Sequence, residues 1–306
     1  MNRKSLFWFG HLALVGLVSF GITPTEAATR KPARKPAAST TKREYSASRS
    51  QARKATLARA RAAAMAREMA DTSLPRFKVD ASGDLVPDVR AAAAIVFDPE
   101  TNQVLWEENS QDQRSIASIT KVMTATVFLE NNPDLTEPVT VARGDVYMAS
   151  TTHLRANDKV TVDDLLHLLL IASDNAAARA LARISAQGTD GFVHRMNEKA
   201  AELGLESTHY EDPSGLLSEN VSSAYDMARL ITNASADERI ASVMRTYEYT
   251  VYPRNRGPVT FHSTNHLLGR QDVDVRAGKT GFISKSGYCL ATLPLDAAAQ
   301  QRGYVG

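Results

Sequence analysis

Residues 116–125 read IASITKVMTA and contain a serine–lysine pair. It places Ser118 three residues before Lys121 at the start of a predicted helix, so that both side chains share one helical face. A neutral lysine amine at that spacing can accept the serine proton and turn the hydroxyl into a nucleophile. The spacing alone is weak evidence, because residues 39–42 (STTK) repeat it and a serine at a helix start is often only an N-cap.

A second motif, SDN, contains Ser173 and Asn175 and interrupts a strongly apolar helical stretch that ends at Ile171. Polar groups placed against a core need hydrogen-bond partners, which favours a functional role here over the similar patterns at residues 218–220 and 263–265. The alternative is a plain interhelical turn in which Asn175 caps the next helix.

A third motif, KTGF, occurs once and consists of Lys279, Thr280, Gly281 and Phe282 on a predicted strand. A lysine at a strand edge can bind a carboxylate, and a glycine allows a ligand to approach the backbone closely. The alternative is an exposed edge-strand lysine that protects against aggregation.

The three motifs, in this order, are the signature of serine penicillin-recognising enzymes. Together with residues 212–216 (DPSGL), 263–267 (STNHL) and 278–290, they resemble the low-molecular-mass penicillin-binding proteins, the D-alanyl-D-alanine carboxypeptidase/endopeptidase family. The STNHL stretch is similar to the DD-endopeptidase branch. The resemblance covers roughly residues 90–290.

The resemblance implies an α/β (α+β) fold of the penicillin-recognising serine transpeptidase/β-lactamase-like type, with an antiparallel sheet flanked by helices and a helical subdomain. The hydrophobic pattern agrees, because strands are predicted near both ends of residues 90–292 and helices between them. In this family, further strands and a closing helix follow the Lys-Thr-Gly strand. Residues 295–306 lack that pattern, so we expect the C-terminal strands to be missing and the chain as written to be poorly stable.

The resemblance also implies catalytic roles, position by position. Ser118 would form the acyl-enzyme with Lys121 as its general base. Ser173 would pass a proton to the leaving amine, and Asn175 would hold the substrate amide. Lys279 would bind the terminal carboxylate and keep Lys121 neutral by charge repulsion.

The rest of the third motif would complete the substrate site, with Thr280 and Gly281 lining it. The backbone N–H groups of Ser118 and Phe282 would form the oxyanion hole. The implied substrate is the D-Ala-D-X peptide of peptidoglycan, with β-lactam antibiotics as covalent inhibitors. No metal, cofactor or nucleic acid is expected, since the histidines of residues 262–266 lack the glutamate of metalloprotease helices.

Composition sets the broad class of the protein. In 306 residues, 43% are hydrophobic and 23% charged, which excludes a wholly disordered chain and a multi-span membrane protein. One cysteine, Cys289, excludes a disulfide framework and a cysteine-rich metal site. The charge is uneven, since residues 28–70 hold twelve Lys/Arg against two Asp/Glu while the remainder is acidic.

Three segments are predicted along the chain. Residues 1–27 have the basic head, apolar run and small cleavage-site residues of a signal peptide, which predicts a periplasmic protein; an uncleaved anchor is the alternative. Residues 28–75 form a basic, low-complexity, disordered arm that is either a solvated spacer or makes weak contact with anionic envelope polymers. Residues 76–306 form the DD-peptidase catalytic domain, truncated at its C-terminus.

Two other functions remain open at this point. A serine β-lactamase would share the acylation step but release the acyl group quickly. A non-catalytic wall-binding protein would act through its basic arm and would not be labelled by penicillin.

Replacing the predicted nucleophile provides the first test. Ser118→Ala should abolish covalent penicillin adducts, measured by mass spectrometry, without changing the fold. Ser39→Ala, in the second serine–lysine pair of the same spacing, should leave the adduct intact. An adduct that survives Ser118→Ala would remove this serine from the mechanism.

Overall fold

A computed structural model describes residues 54–61, 63, 76–271 and 273–294. Contacts divide the chain into Met1–Pro75 and Arg76–Gly306, and the three motifs lie in the second unit. In the first unit, residues 54–61 are helical and exposed. The predicted signal peptide, most of the basic arm and residues 295–306 lie outside the described residues, so the three-segment division stays a prediction.

The strands in the described part of the chain form antiparallel two-stranded ladders. The pairs are β1 (Phe77–Val79) with β2 (Leu85–Pro87), β3 (Ala94–Asp98) with β4 (Gln103–Glu108), β5 (Arg114–Ser115) with β8 (Val221–Ser222), β6 (Pro138–Thr140) with β7 (Lys159–Thr161), β9 (Glu248–Val251) with β10 (Val259–His262), and β11 (Val275–Ile283) with β12 (Gly287–Pro294).

Most helices follow the predicted pattern, with boundaries that differ by a few residues. They are α1 (Thr120–Leu129), α2 (Arg143–Val146), α3 (Val162–Leu170), α4 (Asn175–Ile184), α5 (Gly188–Glu202), α6 (Ala224–Ser235) and α7 (Glu238–Met244), with 3-10 turns at Ala117–Ile119 and His266–Gly269. Thr161 caps α3, because its side chain accepts a hydrogen bond from the backbone N–H of Asp164. The short helices α2 and α7 were not predicted. None of the helices described has both the length and the apolar composition needed to cross a bilayer.

Helix α1 lies at the centre of the core and contacts α3, α4, α5 and α6. Nine of its ten residues are buried, including the polar residues Thr120, Lys121 and Thr124. The polar residue Lys121 belongs to this helix and is carried into the core with it. The packing of α1 therefore decides the environment of the first motif.

The predicted antiparallel strands are present at both ends of the domain as two hairpins, β3–β4 and β11–β12. Helix α6 packs against strands of both hairpins, although within the described residues the two hairpins share no ladder. Strand β11 also contacts the 3-10 turn at Ala117–Ile119. The third motif is thereby held against the first.

A close contact of Gly215 supplies a stability test. Gly215 and Gly83 have φ values of +76° and +91°, so alanine at either position costs about 1–2 kcal/mol of backbone strain. An added Cβ meets nothing within 4 Å at Gly83, but at Gly215 it would lie 2.0 Å from the carbonyl oxygen of Ala117. Gly215→Ala should therefore lower the free energy of unfolding by more than Gly83→Ala, as measured by urea denaturation. Equal losses would contradict the close contact.

Candidate active site

Five of the six polar side chains predicted from the three motifs, those of Ser118, Lys121, Ser173, Asn175 and Lys279, lie together. The Lys121 Nζ atom is 2.9 Å from Ser118 Oγ and 2.7 Å from Asn175 Oδ1. The Lys279 Nζ atom donates to Ser173 Oγ at 2.8 Å, and the nearby Lys121 amine helps to lower the pKa of Lys279. Segments that are far apart in the sequence therefore converge on one cluster, in which Lys121, Asn175 and Lys279 are buried and the two serines are half-buried.

Ser118 sits in the 3-10 turn that precedes α1, and its side chain is half-buried. Its N-cap alternative is wrong, because the cap position of α1 is Ile119 and no side chain caps this helix. The neighbouring Ala117 is fully buried and has a φ of +48°, so the turn is held in an unusual backbone conformation. The hydroxyl of Ser118 is thus directed to Lys121 rather than used for capping.

The hydrogen bonds of Lys121 fit a neutral amine. Its side chain has no exposed surface, and Nζ donates to Asn175 Oδ1 at 2.7 Å and to the Ser214 carbonyl oxygen at 2.5 Å. A neutral amine has two N–H donors and one lone pair. In its neutral form, an amine that donates to Asn175 and Ser214 keeps its lone pair for the Ser118 hydroxyl 2.9 Å away, as a general base requires.

Burial lowers the pKa of Lys121 to about 7. The carboxylates of Asp212 and Asp174 oppose this shift, and Arg179 adds to it slightly. Lys279 is 1% exposed, and its pKa is lowered well below the ordinary value by burial and then by the charge of Lys121. Burial, rather than repulsion by Lys279, is therefore the main reason that Lys121 can be neutral.

The second motif forms the turn before α4. Ser173 has a φ of +58°, and Asp174 caps the helix by accepting from the Ala177 backbone N–H at 3.0 Å. The alternative in which Asn175 is the cap is therefore wrong. The Asn175 amide nitrogen donates to the Ala149 carbonyl oxygen at 2.6 Å, which leaves its second N–H for a ligand.

Strand β11 brings the third motif against the nucleophile. A Cβ at Gly281 would lie 3.0 Å from both the Ile116 carbonyl oxygen and the Ser118 backbone nitrogen, so a side chain there would push the strand away. The Thr280 hydroxyl lies 2.5 Å from the Thr264 hydroxyl. The next residue along the strand, Phe282, presents its ring to solvent.

Two contacts to the motifs were missed from the sequence. The Ser214 carbonyl oxygen accepts from Lys121, and the Asp212 carboxylate shapes this loop by accepting from Gly215 N–H at 2.9 Å and from the side chains of Ser214 and Asn220. The sequence identifies DPSGL as a family feature. It does not predict the contact of the Ser214 carbonyl, because every residue has a backbone carbonyl whatever its side chain.

Thr264 is the second missed contact. Its backbone N–H donates to the Ile171 carbonyl oxygen at 3.1 Å, next to the second motif, while its hydroxyl meets Thr280 in the third. Thr264 thus links the two motifs. The sequence shows a serine–x–asparagine pattern at residues 263–265, but that pattern does not predict the two contacts of Thr264.

In the part of the chain that the structure describes, no three His, Cys, Asp or Glu side chains are grouped so that they could hold a metal ion. His262 pairs instead with Glu248, its neighbour across the β9–β10 ladder.

The family model described as D-alanyl-D-alanine carboxypeptidase, peptidase family S11, matches residues 80–299. The chain belongs to this family. It is therefore a serine peptidase, and the predicted resemblance to low-molecular-mass penicillin-binding proteins is confirmed.

Two relatives of this S11 peptidase are both named D-alanyl-D-alanine endopeptidase. The protein from Haemophilus influenzae is 37% identical over 205 residues, which cover 65% of this chain and 69% of that protein. The protein from Escherichia coli is 32% identical over 207 residues, covering 67% of each.

Solved structures support the same fold. The Streptomyces K15 DD-transpeptidase matches with a TM-score of 0.64 at 28% identity, over 69% of this chain and 88% of that chain. A D-alanyl-D-alanine carboxypeptidase from Mycobacterium tuberculosis matches with a TM-score of 0.65 at 29% identity, over 69% and 80%. The predicted penicillin-recognising fold is confirmed.

The pKa of Lys121 leads to a pH test. We expect the rate of acylation by penicillin to fall as the pH drops below about 7, because protonated Lys121 cannot accept the Ser118 proton. One unit below the pKa, about a tenth of the amine is neutral, so the rate should be roughly tenfold below its plateau. Stopped-flow measurement of acylation against pH tests this. A rate that stays at its plateau at pH 5.5 would contradict the assignment.

Proposed function

We propose that this S11 peptidase cleaves D-Ala-D-X bonds in peptidoglycan through an acyl-enzyme on Ser118. The observation that carries the proposal is the buried amine of Lys121, whose Nζ lies 2.9 Å from Ser118 Oγ and donates to Asn175 Oδ1 and to the Ser214 carbonyl oxygen. A serine beside a neutral amine has the arrangement of an activated nucleophile.

In the acylation step, Lys121 takes the hydroxyl proton as Ser118 Oγ attacks the carbonyl carbon of the penultimate D-alanine. Negative charge then develops on the carbonyl oxygen. The backbone N–H groups of Ser118 and Phe282 stabilise that charge, a role supported by the close approach of strand β11 at Gly281.

Departure of the amine requires a proton on its nitrogen. Ser173 supplies it, and the proton that Lys121 took from Ser118 replaces the one that Ser173 gives up. The C–N bond breaks and the acyl group remains on Ser118. The 2.8 Å contact with Lys279 holds the Ser173 hydroxyl in place for this transfer.

Recognition of the leaving residue depends on Lys279 and Thr280. In the absence of ligand, burial and Lys121 hold the pKa of Lys279 low. A substrate carboxylate placed beside Lys279 supplies the opposite charge and favours its protonated form. The site thereby binds a peptide with a free carboxylate more strongly than one without.

Deacylation restores the enzyme. Water replaces the departed amine and attacks the ester carbonyl as Lys121 accepts its proton. The bond between the acyl carbon and Ser118 Oγ breaks, and Lys121 returns the proton to Ser118 Oγ. β-Lactams enter the same acylation step, but their leaving nitrogen stays attached to the acyl group and hinders the entry of water.

The relatives favour cleavage of cross-links over trimming of peptide ends. Both relatives described above are named D-alanyl-D-alanine endopeptidase. We therefore propose a periplasmic endopeptidase that remodels the cell wall, with peptidoglycan as its partner and β-lactams as covalent inhibitors. Residues 1–27 would direct export, and residues 28–75 would form a basic arm in weak contact with anionic envelope polymers.

Arginine in place of Lys121 tests the base. Lys121→Arg should lower acylation by at least about a thousandfold, because arginine keeps the positive charge but cannot accept a proton at working pH. The matched control is Lys285→Arg, an exposed lysine on the turn between β11 and β12, which should acylate at the wild-type rate. Near-normal acylation of Lys121→Arg would contradict the mechanism.

Digestion of purified muropeptides tests the substrate. The wild-type enzyme should convert cross-linked dimers into monomers, and Ser118→Ala should not. Release of D-alanine from pentapeptides alone would instead establish a carboxypeptidase. Rapid turnover of penicillin without muropeptide cleavage would establish a β-lactamase, and absence of penicillin labelling would leave the wall-binding alternative.

A further inference from the structure

Two aromatic side chains stand exposed immediately beyond the third motif. The side chain of Phe282 is 55% exposed and that of Tyr288 is 93% exposed, and their ring centroids lie 4.7 Å apart. The two residues are direct partners in the β11–β12 ladder. We refer to Phe282 and Tyr288 as the aromatic pair.

The aromatic pair continues the face of the sheet that carries Thr280. Side chains alternate along a strand, so Thr280 and Phe282 point to the same side, and their ladder partners Leu290 and Tyr288 share that side. Leu290 is itself 55% exposed. An uncovered apolar strip therefore begins at the substrate-binding strand.

The order of residues along β11 gives the direction of a bound substrate. Lys279 is the group that would hold the substrate carboxylate, and Gly281 lies against the backbone of Ser118. A peptide with its carboxylate at Lys279 and its scissile carbonyl at Ser118 must extend its acyl part beyond Gly281. One residue further, about 3.3 Å along the strand, is Phe282.

We propose that the aromatic pair is the acyl-side subsite, which takes the side chain of the residue preceding the scissile D-alanine. The proposal rests on the proposed function, because it uses the substrate direction derived from Lys279 and Ser118. The occupant is a long side chain rich in methylene groups, or an aromatic group. Such groups pack well against the faces of aromatic rings, whereas a bare carboxylate does not.

Two β-lactams that differ only in the acyl side chain test this subsite. Benzylpenicillin carries an aromatic acyl side chain, whereas 6-aminopenicillanic acid has the same ring system without it. The second-order rate constant for acylation is measured with both compounds for the wild-type protein, Phe282→Ala, Tyr288→Ala and Tyr252→Ala. Tyr252 is 71% exposed and follows β9, outside the proposed subsite, and serves as the control.

The measured quantity is the ratio of the two rate constants, benzylpenicillin over 6-aminopenicillanic acid. Phe282→Ala should lower this ratio about tenfold, and Tyr288→Ala should lower it by a smaller factor, because the loss of one ring removes about one good aromatic contact. Tyr252→Ala should keep the wild-type ratio. Thermal unfolding of each variant checks that the fold is retained.

Three outcomes would overturn the subsite. An unchanged ratio in Phe282→Ala and Tyr288→Ala shows that the rings do not contact the acyl group. Equal losses for both β-lactams show a disturbed backbone near Ser118 rather than a lost subsite. A dimer that dissociates in Tyr288→Ala, with the ratio unchanged, shows that the aromatic pair joins two copies of the chain. If the wild-type protein forms no adduct with either compound, the proposed function itself fails.

Discussion

Burial of one amine, that of Lys121, is the constraint on which the site depends. A charged lysine in the core would be very costly, so the amine is favoured in its neutral form and its pKa falls to about 7. The free-energy cost of burying the polar amine is offset by two hydrogen bonds, to Asn175 and to the carbonyl oxygen of Ser214. Because both acceptors come from other segments, the chemistry at Ser118 exists only when the core around α1 is complete.

Close backbone contacts assemble those segments. Gly215 and Gly281 both lie against the turn that carries Ser118; an added Cβ would overlap the turn at Gly215 and crowd it at Gly281. Thr264 joins the second motif to the third through a backbone bond at Ile171 and a hydroxyl contact. The Ser118 turn, the Ser173 turn and strand β11 are thus positioned by packing rather than by flexible side chains.

The sequence predicted the motifs and most helices, because each leaves a local pattern, such as the apolar helical stretch that ends at Ile171 and the spacing of Ser118 and Lys121. It could not predict which alternative applied to Ser118 and Asn175, since a cap and a catalytic group use the same residue types. The role of the Ser214 carbonyl was also out of reach, because any residue supplies a carbonyl. The family match at residues 80–299 confirms the class of enzyme, while the roles of single side chains rest on geometry.

The protonation state of Lys121 can be measured directly by NMR of protein labelled with 13C at lysine Cε. The Lys121 signal is the one that disappears in the Lys121→Arg variant. We predict that it titrates near pH 7, far below the value of about 10.4 for an exposed lysine. A signal that titrates near 10.4 would show a charged amine beside Ser118 and contradict the account.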